Sequence, residues 1–269
     1  MKQLEIRPPA GRMRPVLIDL DHALSEADAR ARLTSQGFAV LTPPALARLA
    51  GHPLAELAAL APFWDDLPHD RYLRDLGRYR SRRHGCAVVH IDEPEPRLAE
   101  VPHRPHWQST SYNALHGGLE RWFEPIDHRM ASAAVWLDLL KNLGRCVASV
   151  RPPADGRWYV EAHPFRIDTS EGVGRPTPEG AHRDGVDFVA VILVGRHAIT
   201  GGETRVFEAT GPHGVRFALE TPWTALLLDD TRVIHESTPI QPLADEARGH
   251  RDTLVLTYRA GGFQAPPGP

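Results

Sequence analysis

Hydrophobic and polar positions follow two different periods along the chain, and the change falls near residue 150. Before it the spacing is helical. In Ala45 to Leu60 the leucines at 46, 49, 54, 57 and 60 recur close to every 3.6 residues, and Gly51 and Pro53 divide the stretch in two. Met130 to Val147 reads as one amphipathic helix, with Val135, Leu139, Leu140 and Leu143 on one face. Between these helices the run CAVVHI, Cys86 to Ile91, predicts a strand. After residue 150 short strands are predicted at Trp158–Ile167, Asp187–Val194, Glu203–Glu208, Val215–Glu220, Thr224–Leu228, Thr231–Glu236 and Thr253–Arg259. Gly201-Gly202, Gly211-Pro212 and Thr221-Pro222 punctuate them. In the fourth, Val215, Phe217 and Leu219 face one way while Arg216 and Glu220 face the other. Many short strands at roughly 8–12-residue spacing predict a sandwich, jelly roll or barrel. The expectation is a single mainly β domain over 1–269 with flanking helices. Its helices concentrate in residues 1–150, its β core spans 151–262, and a Pro/Gly-rich tail, 263–269, is expected to fray.

Composition narrows the class. The chain has 269 residues, 42% of them hydrophobic, enough for a sizeable core. Its longest apolar run, Phe188 to Val194, falls far short of the ~18 residues that cross a bilayer. The start, MKQLEIRPPAGRMRP, lacks the apolar centre of a secretory signal. Two cysteines, Cys86 and Cys146, exclude a disulfide framework and a cysteine-built zinc site and fit a reducing cytoplasm. A net charge of −3 predicts neither a nucleic-acid partner nor a membrane surface. Only Lys2 and Lys141 are lysines, so nearly all positive charge is arginine, as a GC-rich genome would give. The 15 histidines invite a search for a metal site and guarantee decoys.

The informative segment is EGAHRDGVDFVAVILV, Glu179 to Val194. His182 and Asp184 are two apart, so on an extended chain both side chains point to the same face. Gly185 then frees the backbone to turn before the apolar strand. A third ligand is available in TRVIHEST, where His235 sits on a late strand. Two imidazoles and one carboxylate on one face of Fe(II) leave three positions for substrate and oxygen. HxD alone is a weak signal in a chain so rich in histidine. Agreement comes from the apolar strand that follows, the late histidine, and RDTLVLTYR, whose Arg251, Thr253, Val255, Thr257 and Arg259 share one face. A hairpin between His235 and Arg251 would bring Arg251 beside the metal. Its guanidinium can take a carboxylate bidentately, with the Thr253 hydroxyl adding a hydrogen bond. Arg259 would lie ~26 Å further along the strand. The bland alternative for Arg251 is an ion pair with Asp252 or Glu246.

PEGAHRDGVDFVAVILVGRHAITGGETRVF, then VIHESTPI and RDTLVLTYR, together resemble the bacterial 2-oxoglutarate/Fe(II) dioxygenases that include L-isoleucine 4-hydroxylase. The likeness is strongest over residues 158–259 and weaker at YRSRR near residue 80 and QSTSYN near residue 110. It implies a double-stranded β-helix and hydroxylation of an unactivated C–H bond, with Fe(II), 2-oxoglutarate and O2 as the reactive partners. It maps His182, Asp184 and His235 onto the iron ligands and Arg251 onto the 2-oxoglutarate anchor, and it suggests a free L-amino acid as substrate. Halogenating relatives lack the carboxylate that Asp184 supplies, so hydroxylation is expected here.

Gln108, Tyr112 and Asn113 are candidates for a substrate pocket, although Ser109, Thr110 and Ser111 equally suit a capped helix start. His163 and Arg166 are further candidates on a core strand, Arg166 either gripping a substrate carboxylate or pairing with an acid. His103 and His106 in HRPHW are read as solvated, as are His197, His213 and His250. The basic, aromatic run Arg71 to His84 is read as a solvated face or a carboxylate-binding wall. Three rivals stand beside the hydroxylase. A nucleic-acid demethylase of the same superfamily would carry a second arginine six residues after the first, whereas Arg259 is eight away. A non-catalytic jelly-roll binding module would not need the intact triad; a cupin-like metal isomerase would not consume 2-oxoglutarate.

Overall fold

The computed structural model describes residues 26–75, 77–92, 94–244 and 248–267. Helix α1 (Glu26–Gln36) leads through Gly37, at φ +82°, into strand β1 (Phe38–Leu41). Thr42 caps α2 (Pro43–Ala50) by accepting from the Ala45 amide, and Gly51 closes it in the left-handed region. After Pro53 a second short helix, α3 (Leu54–Ala58), begins, so the leucine-periodic stretch is two helices broken where Gly51 and Pro53 stand. The stretch from Met130 to Val147 also divides, into α4 (His128–Ala131) and α5 (Ala134–Ala148). Ser132 turns its hydroxyl back to the His128 carbonyl and Ala133 goes extended, which restarts the helix.

The chain pairs β1 with later strands in a sheet whose order follows the jelly-roll pattern. In sequence these are β2 (Arg80–Arg82), β3 (Gly85–His90), β4 (Arg97–Glu100), β5 (Arg157–Asp168), β6 (Phe188–His197), β7 (Ile199–Gly201), β8 (Glu203–Glu208), β9 (Gly214–Ala218), β10 (Ala225–Asp229), β11 (Val233–Ser237), β12 (Ile240–Pro242) and β13 (His250–Arg259). The large sheet runs β1-β10-β6-β13-β5-β3-β4, with β2 also paired to β5. The small sheets are β11-β8-β9 and β12-β7. All of these pairs are antiparallel. The central strands β10 and β6 of the large sheet are buried on both faces, which is why β6 opens as an unbroken apolar run.

The two faces have different partners. Val160, Ala190, Ile192, Leu227, Leu254 and Leu256 pack with Leu46, Leu139 and Leu143 of the helices. Val189, Leu193, Leu226 and Leu228 instead pack with Val206, Leu219 and Val233 of the small-sheet side. Gly144 lets α5 lie close to the sheet, since a Cβ there would meet Val89, Trp158 and Tyr258 at 3.2–3.4 Å. Trp158 and Tyr258 tie the helix down by donating to the Gly144 and Leu140 carbonyls, each at 3.0 Å. No helix among the described residues is long and apolar enough to cross a membrane.

Candidate metal centre and its cavity

His182 and Asp184 lie in the segment between β5 and β6, not on a regular strand, so the expected same-face extended pair is replaced by a clamp. His182 and His235 exchange backbone hydrogen bonds of 3.0 Å in both directions, an isolated bridge to β11. That bridge sets the two imidazoles 4.8 Å apart, centroid to centroid. Asp184 then places one carboxylate oxygen 3.7 Å from His182 Nε2 and the other 3.7 Å from His235 Nε2. His182 Nδ1 lies 2.9 Å from the Gly180 carbonyl, which can only accept, so Nδ1 carries a hydrogen and Nε2 is the nitrogen that would ligate a metal after giving up its proton.

The loop carrying Asp184 is fixed from beneath. The Asp230 carboxylate accepts from three consecutive amides, those of Asp184, Gly185 and Val186, at 2.8–3.1 Å. Gly185 has φ +77°, and the Tyr112 ring occupies the place a Cβ would take. Gln264 donates to the Asp184 carbonyl at 2.8 Å and Gln108 to the Asp184 carboxylate at 3.3 Å.

Charge in the triad is strongly coupled. Burial disfavours the His182 imidazolium, but the carboxylates of Asp184 and Glu179 outweigh it and raise its pKa to about 10. Burial and the neighbouring His182 push His235 down to about 4. Burial also opposes ionisation of Asp184, yet His182 and His235 hold its carboxyl far below the usual range. Burial and the Asp184 charge push Asp230 up to about 7. A carboxylate and two imidazoles that pull a proton between them suit a divalent cation in its place. Two nitrogens and one oxygen converging from one side fit six-coordinate Fe(II) with open positions.

These three side chains line one wall of a cavity of about 130 Å³. The predicted inward face of β13 lines another: Arg251, Thr253, Val255, Thr257 and Arg259 all reach it. The expected hairpin between His235 and Arg251 is not formed. β11 belongs to a small sheet and β13 to the large one, so the two residues meet across the interior. Arg251 is 3% exposed, and its Nε and one terminal nitrogen are buried without partners. Burial lowers its pKa only to about 10, so it stays cationic at neutral pH. Its neighbour Asp252 pairs with Arg166 instead, and Glu246 lies outside the described residues.

The other candidates divide. Gln108, Asn113 and His163 line the cavity. Tyr112 is half-exposed and packs on Gly185 outside it. Arg166 is bound to Asp252 at 2.7 and 2.8 Å and to Asp65 at 3.0 Å, because its even register on β5 points it away from the odd-numbered cavity face. His103 stacks loosely on Trp122. His106, expected to be solvated, is buried and hydrogen-bonded to Glu161 at 2.6 Å. Arg82, Arg121, Glu161, Glu179 and Asp230 carry no signal in the sequence as individual site residues, since none sits in a spacing that marks a ligand.

His84, His106, Glu161 and His163 form a second cluster with donor atoms within 4.8 Å of one another. Glu161 Oε2 lies 2.6 Å from His106 Nδ1 and 3.6 Å from both His84 Nε2 and His163 Nε2. Arg82 donates to His163 Nδ1 at 2.6 Å. A guanidinium cannot accept, so the hydrogen of the neutral His163 ring sits on Nε2, facing Glu161. A metal on that nitrogen would need the opposite tautomer, so this cluster is a proton-ordered hydrogen-bond network. Burial pushes all three histidines down, His106 to about 4, and keeps them neutral.

The sequence profile described as 2OG-Fe dioxygenase matches residues 61–257. Among solved structures, a bsmA homolog from Methylobium petroleophilum PM1 is 58% identical, covering 95% of this chain and 100% of that one with a TM-score of 0.88. IDO from Bacillus thuringiensis is 16% identical over 90% of this chain and 98% of that one, TM-score 0.71. The Fe(II)/(alpha)ketoglutarate-dependent dioxygenase TqaL is 18% identical over 90% of each, TM-score 0.67. At those identities the last two show a shared fold. None of the curated proteins compared with the chain matches it.

Proposed function

From the premise that the chain belongs to the 2OG-Fe dioxygenase family, we propose that it hydroxylates an unactivated C–H bond of a small molecule, with Fe(II) on His182, Asp184 and His235. Arg251, assisted by Thr253, holds the distal carboxylate of 2-oxoglutarate. The observation that carries this is a converging His/Asp/His donor set facing the same cavity as a buried arginine with two unpartnered nitrogens. When bound, iron and 2-oxoglutarate supply the oxidising chemistry, with O2 consumed and succinate and CO2 formed.

The chain's own residues position and shield. The Gly180 carbonyl fixes the His182 tautomer, Asp230 holds the Asp184 loop, and Gln108 steadies the carboxylate. Val186, Val191, Val255 and Phe263 supply the apolar part of the cavity wall and keep it dry. The carboxylate of Asp184 favours hydroxylation over halogenation. A free L-amino acid or a derivative is the substrate this reading favours, as for the isoleucine hydroxylases that the sequence resembles. Its support is a small cavity of mixed charge, in which Glu179 has a buried, unpartnered carboxylate oxygen and arginines stand nearby. Two cysteines that form no disulfide agree with a cytoplasmic enzyme.

Anaerobic titration of the metal-free protein with Fe(II) and 2-oxoglutarate tests the reading through the weak visible charge-transfer band of the chelate. The band is expected in the wild type and lost in His182→Ala. In Arg251→Ala it should need roughly 30–150-fold more 2-oxoglutarate, the loss of about 2–3 kcal/mol of charge-assisted hydrogen bonding. A wild type that gives no band and consumes no 2-oxoglutarate would leave a ligand-binding module in its place.

A further inference from the structure

Beside the anchor on β13 the cavity holds two more buried arginines that no carboxylate touches, although Asp70 and Glu161 act on both, and Glu179 on Arg121, at longer range. Arg82 is 4% exposed and Arg121 2% exposed. Among the described residues neither has a carboxylate within ion-pair distance, whereas Arg80, two residues from Arg82, is paired with Asp70 at 2.7 Å. Arg82 donates to His163 and Arg121 donates to Gln108 at 2.9 Å, both neutral acceptors. The Nε of each is buried with no partner at all. A buried guanidinium left with neutral acceptors and an orphaned N–H is costly unless an anion completes it.

The setting is built and rigid. The Arg82 guanidinium lies between the Phe123 and Phe165 rings, 3.9 and 4.2 Å from their centroids. Arg121 stands 6.0 Å from the same Phe123 ring. Both arginines line the cavity that holds the triad. Their place relative to Arg251 follows from register. Arg251 on β13 and Arg80 on β2 flank Ile167 of β5 from opposite sides, and Thr253 and Arg82 flank Phe165 in the same way. Two strand spacings, about 10 Å, therefore separate the backbones of Thr253 and Arg82, and Arg251 lies two residues further along β13. The cavity thus offers a second anion seat on the other side of β5, served by the same iron site.

We propose that Arg82 and Arg121 form the seat for a carboxylate of the substrate, so that the enzyme acts on a small carboxylic acid in its free, unesterified and unamidated form. Calling this ligand the substrate rests on the oxygenase reading above; the anion seat itself does not. Arg82 receives the carboxylate at its orphaned Nε edge, stacked between two phenyl rings that fix the plane of the fork. Arg121 also holds Gln108, which in turn bonds Asp184, so seating the carboxylate is coupled to the metal ligand through one side chain.

The probes are the twenty proteinogenic L-amino acids, simple carboxylic acids of three to six carbons, and the matching amides. Each is titrated into the wild type loaded with Fe(II) and 2-oxoglutarate without oxygen, following perturbation of the visible band. At least one acid should bind, and its amide at least tenfold more weakly. Arg82→Lys and Arg121→Lys should each weaken the acid at least tenfold while 2-oxoglutarate affinity stays within about twofold. Equal binding of acid and amide, wild-type affinity in both variants, or no acid that binds would overturn the proposal. The acid–amide comparison is repeated as a melting shift on the metal-free wild type. Absence of the band in the wild type given Fe(II) and 2-oxoglutarate would sink the oxygenase reading alone, while the melting shift still decides whether the seat takes a carboxylate.

Discussion

Asp230 shows how much of this site depends on a residue that binds nothing itself. Its carboxylate holds three successive amides of the loop that carries Asp184, so it fixes where the Asp184 carboxylate sits. Asp230→Asn offers one acceptor oxygen and two misplaced donors. Iron affinity should fall roughly 10–100-fold, the range for lost outer-shell support, and the mismatched buried amide should also cost about 1–3 kcal/mol of stability. Equilibrium Fe(II) titration measures it, and wild-type affinity in the variant would remove Asp230 from the account. At this scale the candidate ligands were legible, because a metal fixes both residue type and spacing. Asp230 was not, because three backbone amides leave no trace in side-chain pattern. Arg166 and Arg251 part ways on one rule. Strand parity decides which face a side chain takes, and Arg166 has the wrong parity for the cavity.

Among the elements, α5 and the large sheet divide the work of stability from that of chemistry. The helix covers the face opposite the cavity, with Leu139 and Leu143 fully buried. Leu143→Ala should cost about 2–5 kcal/mol of stability through lost burial and a cavity, read by denaturant midpoint. The iron–2-oxoglutarate band should form normally in the variant that folds; loss of the band would mean that the two faces are not independent. The amphipathic stripe that predicted α5 was sufficient for its existence and its buried face. It did not reveal the break at Ser132 and Ala133, which depends on one side-chain hydrogen bond and a change of backbone angle. Short strands such as β2, β7 and β12 were not legible either, since three residues are too few to display a period.

For the whole molecule, the buried histidines make stability depend on pH. His106 has its pKa lowered from 6.5 to about 4, chiefly by burial, and His84 and His163 shift the same way. A histidine that binds protons more weakly when folded stabilises the protein fully above about pH 6.5 and loses that contribution as pH falls toward the folded value. Glu161, held below its usual range by the same histidines against the opposing effect of burial, adds a loss in the same direction at lower pH. These groups should therefore remove about a few kcal/mol of stability between about pH 6.5 and 4, opposed in that window by Asp230, whose pKa raised to about 7 adds stability as pH falls. Replacing His106 by Gln should flatten part of that slope; an unchanged slope would place the acid sensitivity elsewhere.

Local pattern alone was enough to single out the candidate triad, the arginine after it and a β-rich core flanked by helices. Each of these is written in short-range spacing: HxD, alternation along strands, and turn residues between them. The basic run Arg71 to His84 reads equally as a solvated face or a carboxylate-binding wall, and packing buries its Arg80, Arg82 and His84. Packing supplied what those patterns could not carry. It brought His235 and Arg251 together from different sheets in place of a hairpin, and it buried His106 against Glu161. It also left Arg82 and Arg121 without an acid in contact among the described residues. Whether a charge is paired depends on residues far apart in the chain, and the sum of neighbours around a buried guanidinium exists only once β2, β5 and the loop before α4 have packed.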